Sequence, residues 1–225
     1  MKPILFNTKM VQAIQEGRKT VTRRVIKPQP VFPIYRMGPS GAAGFFVTQG
    51  GSLYIPEYHP GDILYVRETW QFFPCFDCVK SMCDTTPLTY EDSDSVTEGC
   101  WIYRADYTES DQKRVCWHPS IHMPKEAARI FLRVKDVQAE QLISIDVEQA
   151  KAEGIMCVSL GDGTVGYAIG LWDTTTFDGP VGAFAKLWDS TISPIDLPVY
   201  GWKANPWVWR IEFEQISRKE ANSNA

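Results

Sequence analysis

The chain has 225 residues, 44% of them hydrophobic and 12% aromatic, enough apolar material for a substantial core in one large domain or two small ones. Its formal net charge is −4 and its pI about 5.5, which excludes a chain-wide field for nucleic-acid backbones and leaves any such contact local. No run approaches the roughly eighteen apolar residues of a membrane span, and the opening Met1 to Asn7 is too short for a signal-peptide apolar region. The expectation is a cytoplasmic protein with no membrane partner and no evident obligate protein partner.

The run Ile4-Leu5-Phe6 reads as a short strand. Asn7 or Thr8 then caps a helix carrying Met10, Val11 and Ile14 on one side, and Gly17 ends it. From Lys27 to Pro60 the many prolines and glycines suit an irregular loop or edge segments. Pro60-Gly61-Asp62 is a tight turn that starts a buried β-rich run over Ile63 to Trp70. Residues 71 to about 118 hold five of the six cysteines, an acidic stretch at Glu91 to Asp94 and little periodicity, and read as an insertion.

A strand follows over Ala128 to Val137, with Ile130, Leu132 and Val134 on one face. Next comes a short helix capped by Asp146, with Gln149 at the capping-box spacing and Gly154 as its stop after Glu153. Residues 156–180, rich in Gly, Thr and Asp, form a second excursion. Pro180 to about Ser190 reads as a helix burying Val181, Phe184, Leu187 and Trp188. Trp207, Trp209, Ile211 and Phe213 alternate with Val208, Arg210, Glu212 and Glu214, the pattern of a final half-buried strand. Separated strands, few short helices, no βαβ rhythm and no Gly-rich phosphate loop favour an α+β fold built on a small mixed barrel.

Five of the eleven residues from Gly17 to Lys27 are basic, with Thr20 and Thr22 interleaved. On composition alone this is either an anion site or a solvated charged strand. The pattern Gly17-x-Lys19-x-x-Thr22-x-Arg24, followed by Pro60-Gly61-Asp62 at the start of a strand, resembles the ASCH domain, a relative of the PUA domain. Lys2 to Phe6, Arg67-Glu68-Thr69-Trp70, Tyr103-Arg104-Ala105-Asp106, Pro119 to Pro124 and Asn205-Pro206-Trp207 extend the resemblance to the larger phage and prophage ASCH proteins, over nearly the whole chain.

The resemblance implies a single PUA-like domain over residues 1–225: a mixed β-barrel with short flanking helices and insertions at about 71–118 and 156–180. It also implies a pocket for a modified nucleoside or RNA, walled by Gly17 to Arg24, with Arg18, Arg23, Arg24 and Trp70 as binding residues. The small bacterial ASCH amidohydrolases that deacetylate N(4)-acetylcytidine use a Lys and a Thr of this motif and a Glu on the later helix. Those positions match Lys19, Thr22 and Glu153. By resemblance Thr22 is the nucleophile, Lys19 its base and Glu153 the group that handles the leaving-group proton, with no cofactor required for catalysis. The alternatives are a noncatalytic RNA-binding module and a ribonuclease.

A Lys serves as a base near neutrality only if its pKa is depressed, which burial beside Arg23 or Arg24 would do. Residues 19 and 22 point to opposite faces of an ideal strand, so Lys19 has to lie in the turn after the helix with the strand starting near Val21. Glu153 on its own reads equally as an exposed helix-end residue.

Six cysteines could pair as three disulfides, but a cytosolic setting favours free thiols or metal. Cys75-x2-Cys78-x4-Cys83 with Cys100 downstream is a candidate structural zinc site, with Cys116 or His118 as substitutes for Cys100. The spacing is not that of a common zinc ribbon, and reduced structural cysteines are the other reading. A four-thiolate site would staple the insertion and leave no position open for chemistry. His118 and His122 read as loop residues, and Trp101 and Trp117 as core or rim residues in a chain this aromatic.

Overall fold

Short runs of β-branched, aliphatic and aromatic residues, punctuated by Pro and Gly, give the chain its strands, and alternation within each run sets which face is covered. The computed structural model describes residues 1–37, 45–74, 88–92, 95–160, 163–170 and 176–223, and of residues 88–92 and 95–98 it describes the backbone. In chain order the elements are β1 (Lys2–Leu5), α1 (Thr8–Gln15), β2 (Val21–Val25), β3 (Ile34–Met37), β4 (Phe45–Thr48), β5 (Leu53–Tyr54), β6 (Ile63–Arg67), β7 (Trp70–Pro74), β8 (Leu88–Asp92) and β9 (Ser95–Tyr103). They continue with α2 (Glu109–Gln112), β10 (Phe131–Gln141), α3 (Val147–Ala152), β11 (Met156–Ser159), β12 (Val165–Ala168), α4 (Pro180–Thr191), α5 (Leu197–Tyr200), β13 (Trp207–Ile216) and α6 (Arg218–Ser223).

The fold is mixed α+β, with six short helices among the described residues. The largest sheet has five strands in the order β1-β6-β10-β13-β2, and no closed barrel is found among the described residues. No helix is long and apolar enough to cross a membrane. The chain divides into two compact units: Met1–Lys2, Ala13–Leu64 and Ile130–Ala225 form the first, and Pro3–Gln12 with Tyr65–Arg129 the second. The excursion expected over 71–118 falls in the second. The described part of the 156–180 excursion is the β11–β12 hairpin and the return to α4.

In the first unit β10 and β13 pair antiparallel along their whole lengths, with a register shift between Val134 and Asp136, and β2 pairs with β13 on its other side. The Pro60-Gly61-Asp62 turn is clipped to β10, where Gly61 N donates to Val134 O and Val134 N to Asp62 O. Leu132, Val134, Val137, Val208, Ile211 and Phe213 are buried, each stabilising by about 1.5–3 kcal/mol when a large side chain is fully covered. The final strand alternates as its sequence predicts, except that Val208 is also buried, because this strand lies in mid-sheet. Helix α4 covers Ala183, Phe184, Leu187 and Trp188, while Val181 is only half-buried. Helix α3 has the expected cap, Asp146 Oδ1 accepting from Gln149 N at 2.8 Å.

A three-stranded sheet in the order β3-β4-β5 also belongs to the first unit. Its register sets Ile34 against Thr48 and Arg36 against Phe46 on one face, and Tyr35 against Val47, Met37 against Phe45 and Val47 against Leu53 on the other.

In the second unit the run expected as one strand over 63–70 breaks after Arg67, and β7 starts at Trp70. The break turns Glu68 inward, where its carboxylate meets Arg129 twice, at 2.9 and 3.0 Å. Arg129 is bidentate to Asp106 as well and stacks 3.9 Å from the centroid of the Tyr103 ring.

Candidate functional site

Gly17, at φ +73°, ends α1 and lets Arg18 N and Lys19 N both donate to Ala13 O. The chain then runs against the end of α3: Lys19 forms an antiparallel bridge with Glu153, and Thr20 N donates to Ala152 O at 2.9 Å. Strand β2 starts at Val21, so Lys19 lies in the connection, as the spacing to Thr22 demands. Arg18 lies outside the interior, donating to Glu16 and to Gly154 O. Gly154 has φ +104°, and a Cβ there would stand 2.9 Å from Ala13 Cβ and 3.4 Å from Lys19 Cβ.

Lys19 is one of the largest buried side chains. Its Nζ donates to Glu153 Oε2 at 2.6 Å, to Val21 O at 2.8 Å and to Glu153 O at 3.0 Å. The other carboxylate oxygen of Glu153 accepts from Arg23 Nη1 at 2.9 Å. Arg23 spends its remaining donors on Glu140 Oε1 (2.8 Å) and Gln149 Oε1 (2.7 Å). The side chains of Lys19, Arg23 and Glu153 are 0%, 0% and 2% exposed, so these three charges are shut away from bulk solvent, while Glu140 at the edge of the network is 16% exposed. Charges taken this far from water are tolerated only when paired and hydrogen-bonded, which these are. Burial pulls the Lys19 ammonium below its ordinary pKa, Glu153 opposes that shift, and Arg24 and Arg23 add to it. The network ties α3 to β2 and β10, and Glu153 is an interior residue rather than an exposed helix end.

Thr22 and Arg24 face the other way. In the β2–β13 register Thr22 lies opposite Ile211, Arg24 opposite Trp209 and Arg23 opposite Arg210. Alternation therefore places Thr22 and Arg24 on one face with Ile211 and Trp209, and Arg23 on the opposite face. Of the three residues expected to act together, Lys19 and Glu153 are in contact, while Thr22, itself buried, belongs to the Arg24 face.

That face holds a cavity of about 180 Å³, lined chiefly by Arg24, Ile55, Glu57, Tyr58, Trp209 and Ile211. Burial first, and then the Glu57 carboxylate to which it donates, push the Tyr58 hydroxyl up to about 12 against the pull of Arg24. Tyr58 is thus a neutral donor at any physiological pH. Burial lowers the Arg24 pKa from its usual value, opposed by Tyr58, Glu153 and Glu57. An arginine so placed keeps its charge, and its planar fork suits a flat polar edge. The indole of Trp209 is fixed edge-on by Phe46, with ring centroids 4.8 Å apart.

Sequence reading alone misses Glu57, Tyr58, Trp209, Glu140 and Gln149 as site residues. Glu57 and Tyr58 directly precede the Pro60 turn, a usable signal, but the cross-strand register that sets Trp209 beside Arg24 has no local signature. Trp70, expected at the pocket, lies in the second unit. There it stacks on His118 with ring centroids 4.9 Å apart and meets Trp101 edge-on at 5.1 Å. Among the described residues its indole N–H meets no acceptor. His118 and His122 are exposed. Cys75, Cys78 and Cys83 lie outside the described residues, and Cys100 on β9 is half-buried opposite Phe73. No group of three or more His, Cys, Asp and Glu among the described residues is placed to hold a metal. No protein-family model matches the chain, and no curated protein and no solved structure matches it either.

Proposed function

We propose that the first unit binds a nucleobase in the Arg24 cavity. The observation that carries this reading is that one small cavity combines the guanidinium of the half-buried Arg24, a carboxylate and a protonated phenol with apolar walls from Trp209, Ile55 and Ile211. Its volume of about 180 Å³ is below the roughly 300–1,000 Å³ of sites for drug-sized ligands and suits one flat ring system. A base has apolar faces and a hydrogen-bonding edge. Arg24 supplies donors and Glu57, which the Tyr58 hydroxyl holds by donating to it, supplies an acceptor, which complements an edge carrying both a carbonyl and an amine, as cytosine does. The resemblance of Gly17 to Arg24 to the ASCH motif points to the same ligand class, an N(4)-acylated cytidine or similar nucleoside, and to a PUA-like barrel around it.

Titration calorimetry with cytidine, N(4)-acetylcytidine, uridine and adenosine tests the reading. Cytidine-type ligands should bind, and Arg24→Ala should weaken them by about 10- to 100-fold, the worth of a hydrogen bond to a charged group. Binding of no nucleoside, or unchanged affinity in Arg24→Ala, would overturn it.

A catalytic reading is supported by the 2.6 Å contact of Lys19 with Glu153 and by the burial that depresses Lys19, and it requires Thr22, which belongs to the Arg24 face of β2, to turn towards that pair. In this reading Thr22 attacks the exocyclic amide carbonyl, Lys19 takes its proton, Glu153 passes a proton to the leaving amine as the C–N bond breaks, and water then hydrolyses the acyl ester left on Thr22 to the free acid. Lys19 donates to three acceptors as an ammonium, so it becomes a base only after giving a proton to Glu153. Release of cytidine from N(4)-acetylcytidine by the parent chain, lost in Thr22→Val, is the expected result. Binding without release would leave recognition as the function.

A further inference from the structure

The β3-β4-β5 sheet of the first unit has one face packed and one face open. Ile34, Phe46 and Thr48 are buried on the packed face, where Phe46 meets Trp209 of β13, and Arg36 pairs with Asp136 of β10 at 2.8 Å. An antiparallel sheet covered on one side only carries polar residues on the other. This sheet does not. Tyr35, Val47 and Leu53 form one cross-strand row of the open face, and Met37 with Phe45 forms the next row, two residues along. Tyr35 is 54% exposed, Met37 47%, Phe45 48% and Leu53 56%. Apolar residues on both faces are the pattern of a sheet with a layer on either side. At roughly 200 Å² for a large side chain, the four half-exposed ones present about 400 Å² of contiguous apolar surface, in the range of patches that serve as interaction sites.

We infer that the chain forms a two-fold dimer in which two copies pack these open faces against each other. Shape, charge and area together select the occupant. Sheets bury apolar faces on other sheets, about 10 Å apart and with strand directions within about 30°. A second copy supplies such a sheet, with the same side chains. The five residues of the face carry no formal charge, so it meets its own image across a two-fold axis without repulsion. In a chain of net charge −4, an uncharged face is where two copies approach at least cost. About 400 Å² is the apolar centre of an interface that takes roughly 800 Å² from each partner, the remainder being polar rim. Tyr, Phe and Met are residue types enriched in such centres. The inference does not depend on what the Arg24 cavity binds.

Sedimentation of the full chain from about 1 to 100 μM tests this, in the parent, Phe45→Glu, Leu53→Lys and Val165→Ser. The parent should reach twice the mass of one chain. Phe45→Glu and Leu53→Lys each place two charges in a two-fold interface and should weaken dimerisation at least about 100-fold. Val165, 59% exposed on β12, lies outside the sheet, and its substitution should change nothing. Hydroxyl-radical footprinting of the parent needs no variant: oxidation of Tyr35, Met37 and Phe45 should fall as the dimer forms. A parent that stays monomeric at the highest concentration overturns the inference. So does a dimer that survives both charge substitutions, or one that leaves the oxidation of these three residues unchanged, since its interface then lies elsewhere. Loss of the dimer in Val165→Ser as well would reduce the association to general apolar adhesion and overturn it too. A monomer that instead sediments with phosphatidylcholine vesicles, and no longer does so as Phe45→Glu, would assign the face to a lipid surface and overturn the dimer.

Discussion

Glu153→Ala takes one carboxylate from two buried cations, and its cost follows from what each cation keeps. Lys19, with 0% of its side chain exposed, keeps the carbonyls of Val21 and Glu153. Arg23, also 0% exposed, keeps Glu140 and Gln149. Removing one partner of a buried pair costs about 3–5 kcal/mol. The acceptors that remain place this change near the lower end, about 3 kcal/mol, or roughly 6–12 °C in a chain of this size. Lys19→Met should cost less, about 1–3 kcal/mol, because Glu153 keeps Arg23 at 2.9 Å. The double variant Lys19→Met/Glu153→Leu should be more stable than Glu153→Ala, because it leaves no bare ammonium inside. Thermal and urea unfolding of the four proteins gives the comparison. Glu153→Ala within about 0.5 kcal/mol of the parent, or Lys19→Met the more damaging change, would refute the account of the network.

Gly154→Ala should destabilise by about 1–3 kcal/mol, since φ is +104° and the new methyl would crowd Ala13. Gly17→Ala, at φ +73° but with open space around it, should cost about 1–2 kcal/mol, less than Gly154→Ala in the same melts. Burial works to raise the Asp136 pKa, but hydrogen bonds from Arg36 and Gln138 outweigh it, and the folded value lies below 3.8. The unfolded chain therefore binds this proton first as pH falls, so the contribution of Asp136 is full above about 3.8 and fades as pH drops through the folded value. The stability gap between parent and Asp136→Asn should accordingly shrink between pH 5 and pH 3 in denaturant titrations, and a constant gap would contradict the assignment. Glu57→Gln should weaken cytidine more than uridine in calorimetry, because the carboxylate faces the amine edge.

Local chemistry made much of this legible in advance. Asn7 and Asp146 cap their helices as their side chains suggest, with acceptor distances of 2.9 and 2.8 Å to Met10 N and Gln149 N. Gly17 and Gly154 stop α1 and α3, and the spacing of Lys19 to Thr22 required the turn before Val21 that is observed. Burial of Lys19 depended on contacts with residue 153, far along the chain, which no local pattern encodes. The same holds for the division of the 63–70 run, where pairing of Glu68 with Arg129 outweighs the β propensity of its neighbours. Glu57, Tyr58 and Trp209 were missed because a cavity is a product of register, and Arg24 meets Trp209 only once β2 has paired with β13. Trp70, an attractive stacking residue by type, instead has His118 and Trp101 for neighbours.

The central claim is that Arg24 and the Glu57 carboxylate held by Tyr58 read the edge of a base lying beside Trp209. A crystal structure of the chain soaked with N(4)-acetylcytidine tests it most directly. The account predicts the ring in the Arg24 cavity, with its carbonyl on the guanidinium and its exocyclic nitrogen towards Glu57. A nucleoside bound anywhere else, with that cavity left empty, would contradict it.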